Sequence, residues 1–180
     1  MSQRKSIEEL RDHRSNVLRE KQRAELRNLH GSRLIDALNL AAHDAISLAE
    51  FHVDVAPPFI LDWPARLEEA SGLVLAYASK NKATGVALCI DEKLGRVNGL
   101  IGFHDKDYLG FCHVSQLKLG GLVAAAEAAN DAVTFYPASL NGVIVVDCYA
   151  GNHGMPFSIL VQGEILIERL RECFSDNDPL

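Results

Sequence analysis

No glycine precedes Gly31 and no proline precedes Pro57, so nothing in the first thirty residues interrupts a helix by backbone chemistry. No aromatic residue precedes Phe51 either, which removes the stacking surface that single-stranded nucleic acid uses. No apolar run approaches the roughly 20 residues needed to span a bilayer. Met1-Ser2-Gln3-Arg4-Lys5-Ser6 is not followed by an apolar segment, so no secretory signal is expected and a cytoplasmic location is. Cys89, Cys112, Cys148 and Cys173 form no Cys-x-x-Cys pair, and each sits among apolar residues. Buried free thiols in a reducing compartment are the expectation, without structural zinc.

Motifs with a fixed mechanism are missing too. There is no Gly-x-x-x-x-Gly-Lys phosphate loop, no His-Glu-x-x-His and no Gly-x-Ser-x-Gly elbow. Gly95, Gly99 and Gly102 do not complete a dinucleotide fingerprint. Four common enzyme classes lose support together, and neither a cofactor nor a bound metal is expected.

What is present begins with charge. Residues 1–33 hold nine Lys/Arg and five Asp/Glu, a net of +4, whereas the remainder holds nine and nineteen, a net of −10. With 48% hydrophobic and 23% charged residues, the 180-residue chain has the balance of an ordinary folded domain. It reads as a basic helical arm over 1–30 and an α+β domain over 31–180. A basic arm on an acidic body can fold back on it, pair with another subunit or reach an acidic partner.

Good helix formers run from Ser6 to about Leu29, with Glu8 and Glu9 in the first turn, where the helix dipole favours acids. His30-Gly31-Ser32 punctuates the pattern. Leu34, Leu38, Ala41, Ala42, Ala45, Leu48 and Ala49 then predict a second, core-facing helix. After Pro57-Pro58, a short extended piece over 59–63 and a short helix begun by Pro64 are expected. Strands are predicted at Leu73–Ser79, Gly85–Asp91, Arg96–His104 and Tyr108–Leu119. Gly99 and Gly102 within the third suggest a bulge or a close backbone approach. An alanine-rich helix over Leu122–Val133, strands at Val143–Tyr149 and Phe157–Gln162, and a final amphipathic helix complete the order. The expected fold is α+β: a mostly antiparallel sheet of about five to six strands with helices on one face, preceded by a charged N-terminal helix.

Asp147-Cys148 with His153 is the sharpest catalytic candidate. If the intervening loop closes a hairpin, an imidazole stands opposite a thiol that needs one for activation. Alternation argues the other way: it places Cys148 with Ile144 and Val146 on the core face, and Asp147 on the opposite one. Cys112 is a second thiol that could meet His153 in space. His104-Asp105-Lys106-Asp107 offers ligand types, yet Asp-Lys-Asp is also ordinary turn chemistry. His43 and His52 are too far apart along the second helix to share a metal. A ligand pocket between sheet and helix would be lined by Phe103, Phe111 and Tyr149.

The arm carries Arg11, Arg14, Arg19, Arg23 and Arg27 as candidate partner-binding residues. Glu8, Glu9, Asp12, Glu20 and Glu25 are interleaved with them, which fits local salt bridges or a protein partner better than phosphates. The leading expectation is a non-enzymatic cytoplasmic interaction module, chaperone-, adaptor- or inhibitor-like, that binds another protein or a second copy of itself. A thiol-dependent enzyme or sensor using Cys148 or Cys112 with His153 is the first alternative. A small-molecule-binding domain is the second.

Overall fold

The computed structural model describes residues 7–64, 66, 69–149 and 156–175, with side chains from residue 12 onward. Its backbone is α+β. Four α-helices are present among the described residues: α1 (Ile7–Leu38), α2 (Lys80–Leu94), α3 (Leu119–Ala129) and α4 (Glu164–Leu170). Six strands, β1 (Leu73–Ala78), β2 (Val97–Phe103), β3 (Phe111–Leu117), β4 (Val133–Pro137), β5 (Val143–Cys148) and β6 (Phe157–Gln162), form one sheet in the order β1-β6-β5-β4-β2-β3. Every neighbouring pair is antiparallel.

Alternation along the strands divides the core in two. Ile101, Val133, Phe135, Ile144, Val146, Ile159 and Val161 face the helices and pack with Leu34, Leu38, Ile90, Leu122 and Leu166. Leu100, Tyr136, Val143, Val145 and Leu160 point to the other face. Among the described residues no α-helix covers that face. It is closed by the irregular stretch after α1, through Val55, Phe59, Leu61 and Trp63. Gln162 pins this strap: its amide donates to the Asp62 carbonyl at 2.8 Å and its oxygen accepts from the Asp62 N–H at 3.0 Å.

Three elements differ from the sequence expectation. The stretch 85–91 is helical, because Ala83, Val86, Ala87 and Ile90 fall at helical spacing and all four are buried. Ser79 caps this helix by accepting from the Lys82 N–H, and Gly95 ends it at φ +67°. Gly85 lies inside it and simply does not break it. β4 was hidden at the end of the alanine-rich run. Asn130 stops α3 in the left-handed conformation (φ 51°, ψ 55°), and the Asp131 N–H bonds the Ala126 carbonyl, so five residues are free to pair with β2 and β5. Finally, the predicted second helix does not exist as a separate element. α1 runs through Gly31 to Leu38, and a 3₁₀ turn follows only at Leu48–Glu50. Gly31 is tolerated there because its bare Cα leaves room for the Leu48 side chain, which approaches to 2.9 Å of where a Cβ would sit.

The cysteines also differ from expectation. Cys89 on α2 is joined to Cys173 in the 3₁₀ turn after α4, while Cys112 and Cys148 are free and buried. Reading 85–91 as a strand hid the pairing, because a helix presents Cys89 towards the C-terminal turn. Lys93, one turn on, pairs with Glu172 beside it. A link across 84 residues contributes roughly 2–4 kcal/mol, chiefly by restricting the unfolded chain.

Both sheet edges are irregular. Outside β3, the chain forms bridges at Ala42–Leu117 and His52–Phe111. His43 and His52 therefore sit beside a strand edge and not on a helix. On the opposite edge, pairing of β1 with β6 slips between Leu75 and Ala78, where Tyr77 adopts φ +51°. Within β2, Gly99 lies next to a register shift, and a side chain there would run into the Tyr136 carbonyl. The shift also turns Leu117 to the core, alongside Cys112 and Val114, while His113 and Ser115 stay exposed.

Helix α3 starts without a side-chain cap of its own; the Asp91 carboxylate of α2 accepts from the Leu119 and Gly120 N–H groups at 2.7 and 3.0 Å. Asp91→Ala removes both bonds and should lower stability by about 1–2 kcal/mol. Gly85 is exposed with nothing within 4 Å of an added Cβ, so Gly85→Ala should stabilise by roughly 0.5–1 kcal/mol. Thermal melts of the two variants should move in opposite directions, and a common direction would contradict this assignment of α2.

Candidate functional site

The outer part of α1 is where structure and sequence most clearly part from ordinary packing. Thirty-two residues of helix extend about 48 Å. The last stretch, with Leu34, Ile35, Ala37 and Leu38, is buried in the core. Residues 12–26 are all exposed. They include Val17 at 49%, Leu18 at 53% and Leu26 at 40%, and Leu29 follows at 74%. Single exposed apolar residues occur elsewhere, as at Ile60 and Leu88; what sets α1 apart is that its exposure is unbroken over about four turns of helix.

Two arginines set where the helix leaves the body. Arg27 donates to three backbone carbonyls: Leu48 at 2.6 Å, Phe51 at 2.7 Å and Leu109 at 3.2 Å. Leu48 opens the 3₁₀ turn and Phe51 closes it, so one guanidinium ties α1 to that turn and to the β2–β3 loop at once. One turn further out, Arg23 meets Asp107 of the same loop at 2.6 Å. Their engagement within the chain separates Arg23 and Arg27 from the other candidate partner-binding residues. Arg14 and Arg19 are exposed, and Arg11 lies in the helix with its side chain outside the described residues. Lys21 and Glu25 form an i,i+4 pair at 3.9 Å, both largely exposed.

His104-Asp105-Lys106-Asp107 acts as the body's half of this joint. Lys106 pairs with Asp131, Asp107 with Arg23, and His104 stacks on Trp63 of the strap with ring centroids 4.7 Å apart. No group of three metal-ligating side chains occurs among the described residues.

The thiol candidates are placed apart. Cys148 packs in the helix-side core, while Asp147, the next residue, belongs to the opposite face and pairs in register with Ser158. His153 lies outside the described residues. Burial, followed by the charges of Glu127 and Asp147, raises the Cys148 thiol, and burial with the charge of Glu50 pushes Cys112 up to about 11. Asp147 is also raised, first by burial and then by the charge of Asp131. A reactive thiol needs the reverse shift, and among the described residues no group lowers either sulphur enough to offset its burial. Phe103, Phe111 and Tyr149 do not line one pocket. Phe103 is in the helix-side core, Phe111 packs edge-on to Tyr136 across the sheet, and Tyr149 is 62% exposed.

Sequence reasoning found the arm and its arginines. It missed that Arg27 is a structural clamp; the only signal was its place one turn before Gly31. Comparison with family models, with curated proteins and with solved structures finds no match to this chain.

Arg27→Ala should cost about 2–3 kcal/mol, roughly 5–10 °C in melting temperature, and Arg27→Lys should recover only part, because an ammonium cannot span three carbonyls as the fork does. Full recovery by Lys would show that charge alone matters. For Cys112, native alkylation should stay slow through pH 8 and rise with a midpoint near 11. The same raised value means that its contribution to stability is complete below the unfolded thiol's ordinary pKa and falls as pH climbs through 11. Fast labelling at neutral pH would contradict this environment.

Proposed function

We propose that this chain is a non-enzymatic protein-interaction module whose contact element is the outer part of α1. The observation that carries the reading is the run of exposed residues 12–26, in continuous helix, with Val17, Leu18 and Leu26 uncovered. Isolated helical segments of this length are marginal in water, and most helices in proteins draw their stability from a packed apolar face. Here the packed face belongs only to the C-terminal third. A partner that covers Val17, Leu18 and Leu29 supplies what the body does not.

Further support comes from charge. The arm's excess of basic residues suits an acidic protein surface, and its interleaved acids fit protein better than nucleic acid. No helix of the described residues is long and apolar enough to cross a membrane. Cytoplasmic residence belongs to the same reading, although the Cys89–Cys173 disulfide weighs against a reducing compartment, and it has its own check. Thiols trapped by alkylation before cell lysis should include Cys89 and Cys173 if the protein resides in a reducing compartment, where disulfides are kept open.

The contact reading is tested by Val17→Glu with Leu18→Glu, against Leu88→Glu on α2, another exposed leucine at 55%. Both proteins should melt within a few degrees of the parent. Proteins captured by the parent should be lost with the α1 pair of substitutions and retained with Leu88→Glu. The opposite pattern would move the contact surface to α2.

A further inference from the structure

From the pattern on α1 we infer that its partner is a second copy of the same helix, packed antiparallel about Leu18. This inference rests on the reading of the outer α1 as the contact element and adds the identity and direction of what covers it.

A helical projection separates the two sides of α1. Arg23, Arg27, Gly31, Leu34 and Leu38 lie on one side, and these are the residues that meet the body. Positions 7, 11, 14, 18, 25 and 29 follow the four-three spacing of a packing seam on the opposite side. Leu18 and Leu29 of this seam are exposed. Their side is turned away from the body, so a second helix can approach without meeting it.

The charges on the seam then choose the direction. Its N-terminal half carries Arg11 and Arg14, and its C-terminal half carries Glu25, with Lys21 paired to it at the margin. A parallel pair sets each of these level with its own copy, stacking arginine on arginine and glutamate on glutamate. An antiparallel pair centred on Leu18 sets position 7 level with Leu29, position 11 level with Glu25, Arg14 level with Gln22 and Leu18 level with itself. Apolar positions then meet apolar ones, and the one level charge pair is of opposite sign. Two-fold symmetry requires this kind of self-complementarity. Because the body meets only the far side of α1 near its C-terminal end, the two bodies lie at opposite ends of the pair and do not collide.

The experiment uses the full-length purified protein. Light scattering after size-exclusion chromatography should give a dimer at concentrations up to about 100 μM, and Leu18→Asp should weaken it at least tenfold with unchanged circular dichroism. Oxidative cross-linking fixes the direction. Leu18→Cys should yield a covalent dimer, whereas Arg14→Cys should not, since its copy lies about 12 Å away along an antiparallel pair. Cross-linking of both would show a parallel pair and overturn the inference. A monomeric parent would overturn self-pairing while leaving α1 free to bind a different protein. A dimer untouched by Leu18→Asp would overturn self-pairing through α1, because self-association would then use another surface.

Discussion

One guanidinium fixes how this molecule is put together. Arg27 is the last residue of α1, read outward, that is tied to the body's backbone, and it holds the 3₁₀ turn and the β2–β3 loop in the same grip. Both of those segments also guard the outside of β3, where His52 bridges to Phe111. The strap that closes the second sheet face begins just beyond the turn. Arg27 thus links three tasks: anchoring the helix, sealing a sheet edge and setting the starting point of the strap. Charge-assisted bonds to carbonyls are among the stronger polar contacts available to a half-buried side chain.

The helical layer is knitted by a few long-range contacts and not by packing alone. Asp91 at the end of α2 supplies the cap that α3 lacks, Lys80 at its start pairs with Glu127, and Cys89 with Lys93 joins it to the turn after α4. α2 is therefore the hub of that layer, although its sequence is the one most easily mistaken for a strand. None of these contacts involves the outer half of α1, whose residues 12–26 are all exposed.

Much of this was legible in advance. The fold class, the charged leading helix, the strands at 97–103, 143–148 and 157–162, and the opposed directions of Asp147 and Cys148 all follow from periodicity. Failures came where two signals competed. The apolar run at 85–91 satisfies a buried strand and a helix equally, and glycine at its start favoured the wrong one. Gly31 looked like a helix break because its neighbours are turn formers; only the position of Leu48, distant in sequence, explains why it is helical. β4 is five residues long and adjoins an alanine-rich helix, so its boundary depended on Asn130 adopting a left-handed conformation. Pairing of Cys89 with Cys173 depended on that same misread helix. The arm's exposed stripe was visible as sparse apolar spacing, but which arginines turn inward depends on loop carbonyls that no sequence pattern displays.

The treatment of the sheet margins has a further bearing. Open strand edges invite neighbouring molecules to add to them, end to end, into fibres. Here one margin is stitched over at two points by the chain on either side of the 3₁₀ turn, and the other is buckled at Tyr77, whose left-handed backbone spoils a regular row of donors and acceptors. Regular addition of a further strand is disfavoured on both flanks.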